Sequence, residues 1–229
     1  MTRSAVALCV FPLKKELKLF RQALIEKGFN YDQNPIGKLC GFRFVDLNLL
    51  LVHGGHGKTQ FALQTQYVVN RVGDVEFICC SGAAGALSPE LAAGDVVLAD
   101  KTIEHDYIER FTKQSLPEFE ADDQLLKSFE QAYLPIAENF RLRKAIIASG
   151  DEDIVDPARG AQVRSETGAD AVAWEGAGGA RAAVFNKIPF IEIRGITDSA
   201  NASSSSDFAQ NLKRAMDNIA SLFVSKNTA

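Results

Sequence analysis

Residues 75–85 read Val75-Glu76-Phe77-Ile78-Cys79-Cys80-Ser81-Gly82-Ala83-Ala84-Gly85. The first seven form a short apolar run, of the length and kind expected for a strand buried on both faces. The run then gives way to two glycines and two alanines. Residues this small let a ligand approach the backbone closely, and their N–H groups can hold a ribose or an anion; a tight turn is an equal reading. A strand of this type belongs inside a sheet that helices cover on both sides.

The neighbouring segments extend the same pattern. Residues 5–11 are a second buried strand. Pro12 then opens a helix with Leu13, Leu17, Phe20, Leu24 and Ile25 at helical spacing. Residues 41–46 and 48–53 predict a hairpin, followed by Gly54-Gly55-His56-Gly57-Lys58 and a helix to about Asn70. Further strands are predicted over 95–100, 140–149, 170–173 and 189–195, and helices over 122–137, 156–167 and 174–186. Ser203–Ser206 supplies the N-cap of a last helix that ends near Lys226. The order predicts an α/β chain: one domain over residues 1–229, with a central mixed, mostly parallel sheet between helix layers. The polar stretch 108–121, with Pro117, reads as a mobile or interface loop.

Composition narrows the function. The 229 residues are 46% hydrophobic and 24% charged, with a net charge of −4. That is ordinary globular composition and does not advertise a nucleic-acid surface. Cys9, Cys79 and Cys80 sit in apolar runs, and none of the four cysteines or three histidines has metal-ligand spacing. No metal is expected. The N-terminal apolar run is too short for a signal segment, and no stretch approaches a membrane span, so a cytoplasmic protein without a membrane partner is expected.

In α/β sheets ligands bind at the carboxyl ends of strands. Four places there carry polar groups. Glu16 lies one turn into the first helix and reads either as a surface residue or as a general base near a strand end. The segment Ser81–Gly85 offers backbone donors. Glu175 opens a helix otherwise built of glycine and alanine; the helix dipole alone accounts for it, or it grips a diol through two accepted hydrogen bonds. The glycines of that helix point to close packing. Asp198 follows a buried strand and reads as a turn or cap residue, or as an acid that donates to a base nitrogen. His56, between glycines, reads as a loop residue, and the Gly54–Lys58 segment lacks phosphate-loop spacing.

Taken in order, these segments resemble the nucleoside phosphorylase/nucleosidase superfamily. They look closest to 5′-methylthioadenosine/S-adenosylhomocysteine nucleosidases. The resemblance runs through Leu13-Lys14-Lys15-Glu16-Leu17, Gly55-His56-Gly57-Lys58, Gly82–Pro89 and Gly94-Asp95-Val96-Val97. It continues through His105-Asp106, Ser149-Gly150-Asp151, Trp174-Glu175-Gly176-Ala177 and Arg194-Gly195-Ile196-Thr197-Asp198.

The resemblance implies a sheet partly closed into a barrel with helices around it, and a homo-oligomer, a dimer first. It implies a small-molecule nucleoside as partner and no cofactor. It matches Asp198 to the acid that protonates purine N7 and Glu16 to the residue that activates water. Arg194 is matched to a residue near that water, Glu175 to the carboxylate on the ribose hydroxyls, and Ile154 to backbone groups at the base edge. Ala83, Ala84 and Gly85 fall in the substrate-binding segment. Three positions depart from the nucleosidase pattern: Asp153 stands where a Phe stacks on adenine, Ala83 where a Ser lies near the nucleophile, and Trp174 where a Met flanks the ribose carboxylate.

The nucleophile separates hydrolysis from phosphorolysis. Phosphorylases hold inorganic phosphate with arginines, whose guanidinium fork suits it. Related hexameric enzymes carry one such Arg before the segment matching Gly82–Gly85, where Ile78-Cys79-Cys80-Ser81 supplies none. The first loop lacks their Gly-Asp-Pro element and carries Glu16 instead. Water is therefore expected, with phosphate as the alternative should Arg194, Lys58 or a neighbouring subunit supply charge. A relative acting on a modified nucleoside, or one that only binds it, is the other alternative.

Overall fold

The computed structural model describes residues 5–111 and 114–228. The chain opens with strand β1 (Val6–Phe11), which Pro12 ends, and helix α1 (Lys14–Glu26). Three strands follow, β2 (Asp32–Ile36), β3 (Leu39–Phe44) and β4 (Leu49–His53), then helix α2 (Lys58–Val72). The long strands β5 (Val75–Ala86) and β6 (Val96–Glu104) come next, then the short β7 (Glu118–Glu120) and helix α3 (Asp123–Tyr133). The second half runs β8 (Leu142–Ser149), α4 (Pro157–Thr167), β9 (Ala171–Ala173), α5 (Gly176–Asn186), β10 (Phe190–Asp198) and α6 (Ser204–Thr228).

Among the described residues all ten strands join one sheet, in the order β10-β6-β8-β9-β5-β1-β4-β3-β2, with β7 on β6. A further pairing of β10 with β5 closes β10, β6, β8, β9 and β5 into a ring. The fold is thus the expected α/β architecture with a partly barrel-like mixed sheet. It is less parallel than the apolar runs predict: five strand pairings are parallel and five antiparallel. The antiparallel pairings include those of β2 and β7, whose polar sequences suit the margins where they lie, and of β3, which stands between β2 and β4.

Two apolar layers fix the sheet. On one face Leu17, Phe20 and Leu24 of α1, Phe129 of α3 and Leu212, Met216 and Phe223 of α6 pack on Phe11, Phe77 and Ile191. On the other, Phe61, Val68 and Val69 of α2 and Ala180 and Ala183 of α5 cover Leu8, Val10 and Ile78. Residues alternating along β1 and β5 therefore serve opposite cores, which explains their continuous apolar runs.

Three strands run longer than the sequence predicts. β5 passes through Gly82–Ala86 with no tight turn after Ser81, β6 extends to Glu104, and β10 extends to Asp198. Two strands are not predicted. β2 carries Asp32, Asn34 and Pro35, and β7 falls within the polar stretch 108–121, where it pairs with Lys101–Ile103. Residues 112 and 113 of that stretch lie outside the described residues. Among the described residues no helix is long and apolar enough to cross a membrane.

Candidate active site

The carboxyl ends of β1, β5 and β10 open into a cavity of about 330 Å3, within the range of small-molecule sites. All ten residues singled out from the sequence line it: Glu16, Ala83, Ala84, Gly85, Asp153, Ile154, Trp174, Glu175, Arg194 and Asp198.

Glu16 is not a surface helix residue. It is 2% exposed. Leu13, which begins α1, has no side-chain acceptor, so the helix start is held from the other direction: Glu16 Oε2 accepts the Leu13 N–H at 2.9 Å. Glu16 Oε1 accepts the Ala83 N–H at 2.8 Å. Burial pushes its pKa up from 4.5 to about 7, against the two N–H donors and the Arg194 charge.

The glycines of β5 are there for these side chains. A methyl on Gly82 would sit 2.8 Å from Glu16 Oε1 and 2.9 Å from Arg194 Nη1. A methyl on Gly85 would lie 2.9 Å from Asp198 Oδ1. The strand continues, and its missing side chains make the room that two carboxylates and a guanidinium occupy.

Arg194 is 1% exposed and fully engaged. Its Nε donates to Glu192 Oε1 at 2.8 Å, its Nη1 to the Ala83 carbonyl at 3.3 Å, and its Nη2 lies 3.5 Å from Glu175 Oε2. Glu192, wholly buried, also accepts from Thr102 Oγ1 at 2.6 Å. A guanidinium keeps its charge in any environment, so burying it requires such carboxylate partners.

Glu175 precedes α5 and makes no capping hydrogen bond. Its side chain turns into the cavity, where Oε1 accepts the Gly57 N–H at 3.2 Å and lies 3.1 Å from His56 Nδ1. Ser149 fixes the start of α5, donating to the Trp174 carbonyl at 2.7 Å and accepting the Ala177 N–H at 3.0 Å. The glycines of α5 serve close packing, as expected: Gly178 lies against the Lys58 backbone and Gly176 against the Glu192 carboxylate.

Asp198 ends β10 opposite Gly85. Its Oδ1 accepts the Ala200 N–H at 3.0 Å, and its Oδ2 accepts from Thr197 Oγ1 at 2.8 Å. It is therefore a turn residue and a cavity residue at once.

His56 is the main residue that sequence reasoning misses. Gly55 and Gly57 both have positive φ, 85° and 84°, a conformation glycine adopts without strain. The imidazole between them stacks on Trp174 at 4.2 Å between centroids and 25° between planes. The hydrogen bond with Glu175 raises its pKa against partial burial. Two flanking glycines are the only local signal for this, since the partners lie 118 and 119 residues away. Thr197 and Phe208 also line the cavity.

Lys58 lies elsewhere. Its Nζ is bound to Glu104 at 2.9 Å and to Asp106, and Asp106 in turn accepts the Asp151 N–H at 2.8 Å. This cluster braces the 151–154 loop from outside the cavity. The charged residues lining the cavity are thus five carboxylates (Glu16, Glu152, Asp153, Glu175 and Asp198), one arginine and His56.

A sequence model described as the phosphorylase superfamily matches residues 5–226. The aminodeoxyfutalosine nucleosidase of Campylobacter jejuni is 30% identical over 171 residues, 72% of this chain and 74% of its own. A 5′-methylthioadenosine/S-adenosylhomocysteine nucleosidase of Marinomonas is 30% identical over 190 residues, 78% of this chain and 81% of its own. Among solved structures, the futalosine hydrolase of Helicobacter pylori superposes with a TM-score of 0.86 at 22% identity, covering 99% of this chain and 98% of that one. The Neisseria meningitidis nucleosidase in complex with methylthio-immucillin-A gives 0.84 at 23% identity, covering 97% and 98%. These two structures share the fold.

Proposed function

The chain belongs to the phosphorylase superfamily, and we propose that it is a purine nucleosidase that cleaves the N-glycosidic bond of an adenosine-type nucleoside with water. The observation that carries this reading is Glu16: a buried carboxylate held by two backbone N–H groups at the cavity wall, with its pKa near neutrality. A general base works best when its pKa lies near the operating pH.

In the proposed reaction the ribose hydroxyls bind Glu175, which His56 and Gly57 hold in place. Asp198 delivers a proton to N7 of the base as the C1′–N9 bond breaks and its electrons pass into the purine. Positive charge develops on the sugar, and the carboxylates around it stabilise that charge. Glu16 takes a proton from water as the water oxygen bonds to C1′. The products are the free base and the free sugar. Arg194 holds Glu175 and Ala83 and thereby orients both carboxylates, and backbone groups at Ile154 face the base edge.

Phosphorolysis is the second reading, and the charges of the cavity oppose it. A phosphate would enter among five carboxylates with one arginine already neutralised by Glu192 and Glu175. Lys58 is bound to Glu104 and Asp106. The family relatives named above as nucleosidases support hydrolysis. The Marinomonas relative supports methylthioadenosine or S-adenosylhomocysteine as the substrate type, with Asp153 altering how the base is held, while the Campylobacter relative is named for aminodeoxyfutalosine. The deciding experiment is base release from methylthioadenosine and other purine nucleosides with and without inorganic phosphate. Release without phosphate is expected, and release only with phosphate overturns the reading.

We further propose a homodimer. Leu63 of α2 and Val184 and Phe185 of α5 are 69%, 66% and 79% exposed, and Gln66–Asn186 hydrogen bonds tie these two helices together. Exposed apolar side chains on adjoining helices mark an association surface.

A further inference from the structure

A second groove lies on the far side of α1. Lys14, Lys18 and Arg21 are spaced i, i+4 and i+7, which puts them on one helix face. Glu16 is two residues from both lysines, about 200° around the helix, and so points the other way, into the catalytic cavity. Lys38, between β2 and β3, and His53, at the end of β4, face the same groove. Its volume is about 590 Å3, and it shares no lining residue with the catalytic cavity.

Among the described residues no carboxylate lines this groove. That stands out in a chain with 29 acidic and 25 basic residues, where Lys58, Lys101, Arg141, Arg159 and Arg194 each hold an acidic partner. Lys14, Lys18, Arg21 and Lys38 form no ion pair among the described residues. The Arg21 guanidinium lies 4.1 Å from the Phe42 ring centroid and 5.1 Å from that of Tyr31, and its Nε is buried with no hydrogen-bond partner. Lys14, Lys18 and Lys38 are exposed and have no acidic partner, so their charges add to a positive field beside Phe42 that attracts an anion.

We propose that this groove is a binding site for a small organic anion with adjacent phosphates, of the nucleoside diphosphate class. The phosphates bind Lys14, Lys18 and Lys38, and the base lies along Phe42 and the Arg21 guanidinium, which favours planar partners.

Cys40 gives a direct test. It lines the groove and is exposed, whereas Cys9, Cys79 and Cys80 are buried. A thiol reagent should modify one cysteine quickly in the folded protein. Saturating ADP is expected to slow that modification at least tenfold, with adenine present throughout to occupy the catalytic cavity. AMP, with one phosphate, should need at least tenfold more ligand for the same protection. The Lys18→Gln/Lys38→Gln variant should raise the ADP midpoint at least tenfold and leave base release unchanged. The site is overturned if ADP fails to protect Cys40, if AMP and ADP protect equally, or if the double variant binds ADP as the wild type does. Because labelling needs no turnover, these outcomes stand apart from the test of nucleosidase activity.

Discussion

Glu16 and Arg194 share one residue, Ala83: its N–H donates to Glu16 Oε1 at 2.8 Å, and its carbonyl accepts from Arg194 Nη1 at 3.3 Å. The proposed base and the guanidinium beside Glu175 are thus registered to one residue of β5, through the two peptide groups that flank its Cα. Gly82 precedes it without a side chain, so nothing separates the two groups from the strand.

Glu16 should set the acid limb of the activity profile. Its pKa is near 7, and only the ionised form accepts a proton from water. kcat/KM should therefore rise with pH up to about 7. Glu16→Gln should lose roughly 100- to 10,000-fold in turnover, the usual worth of a general base, and should show no such limb. The same group shapes stability. Between pH 4.5 and 7 the folded chain keeps a proton that the unfolded chain releases. Its contribution is complete below 4.5 and is lost as pH rises through 7, a change on the order of 3 kcal/mol. Urea titrations across this window should show the decline, and a flat profile would contradict the burial argument.

Asp198→Asn should separate chemistry from binding. The amide oxygen can still accept the Ala200 N–H, and Thr197 Oγ1 can accept from the new amide, so both contacts of Asp198 survive. The proton donor is gone. Turnover should fall by about 100-fold or more, while calorimetry shows nucleoside binding near the wild-type affinity. A variant that turns over normally would remove Asp198 from the role of acid.

The legible part of the molecule is the part set by local pattern. Continuous apolar runs place β1, β5 and β10, and Leu17, Phe20 and Leu24 place α1, because burial on a fixed face leaves a period in the sequence. What is not legible depends on distant partners. Gly82–Gly85 looks like a turn because glycine weakens strands. Only Glu16 and Asp198, 66 and 113 residues away, explain why the strand lacks side chains there. β2 carries Pro35 and polar residues, which only an edge position tolerates. His56 gives no local sign that its ring stacks on Trp174. The candidate carboxylates are recognisable through the ordered family motifs rather than through any one of them.

Removing Glu192 should damage the fold more than the chemistry. The residue is fully buried and pairs with Arg194 at 2.8 Å. Glu192→Ala leaves the guanidinium buried with Glu175 as its remaining carboxylate. Losing one partner of a buried pair costs about 3–5 kcal/mol, so the melting temperature should fall by roughly 10 °C. Gly176→Ala should act in the same direction, because a methyl there overlaps the Glu192 carboxylate. Melting temperatures unchanged from wild type would show that the network relaxes around the change.

The proposed dimer rests on Leu63, Val184 and Phe185. Leu63→Glu combined with Phe185→Glu places charges where apolar surface would be buried, and charge is depleted at interface centres. Sedimentation should show a dimer for the wild type and a monomer for the variant at the same concentration. A monomeric wild type, or an unchanged dimer in the variant, removes this surface from consideration.

Asp153 bears on which base the cavity takes. It lines the cavity beside the buried Ile154, and its charge helps to raise the pKa of His56. A carboxylate offers a base hydrogen-bond acceptors but no face to stack on. Asp153→Phe supplies that face, and an aromatic stack is worth about 0.5–1.5 kcal/mol beyond area burial. For methylthioadenosine, KM should therefore fall roughly three- to tenfold with kcat nearly unchanged, because the contact is equal in ground and transition states. A rise in KM would mean that the carboxylate itself accepts from the base, and that the preferred substrate carries a donor at that edge.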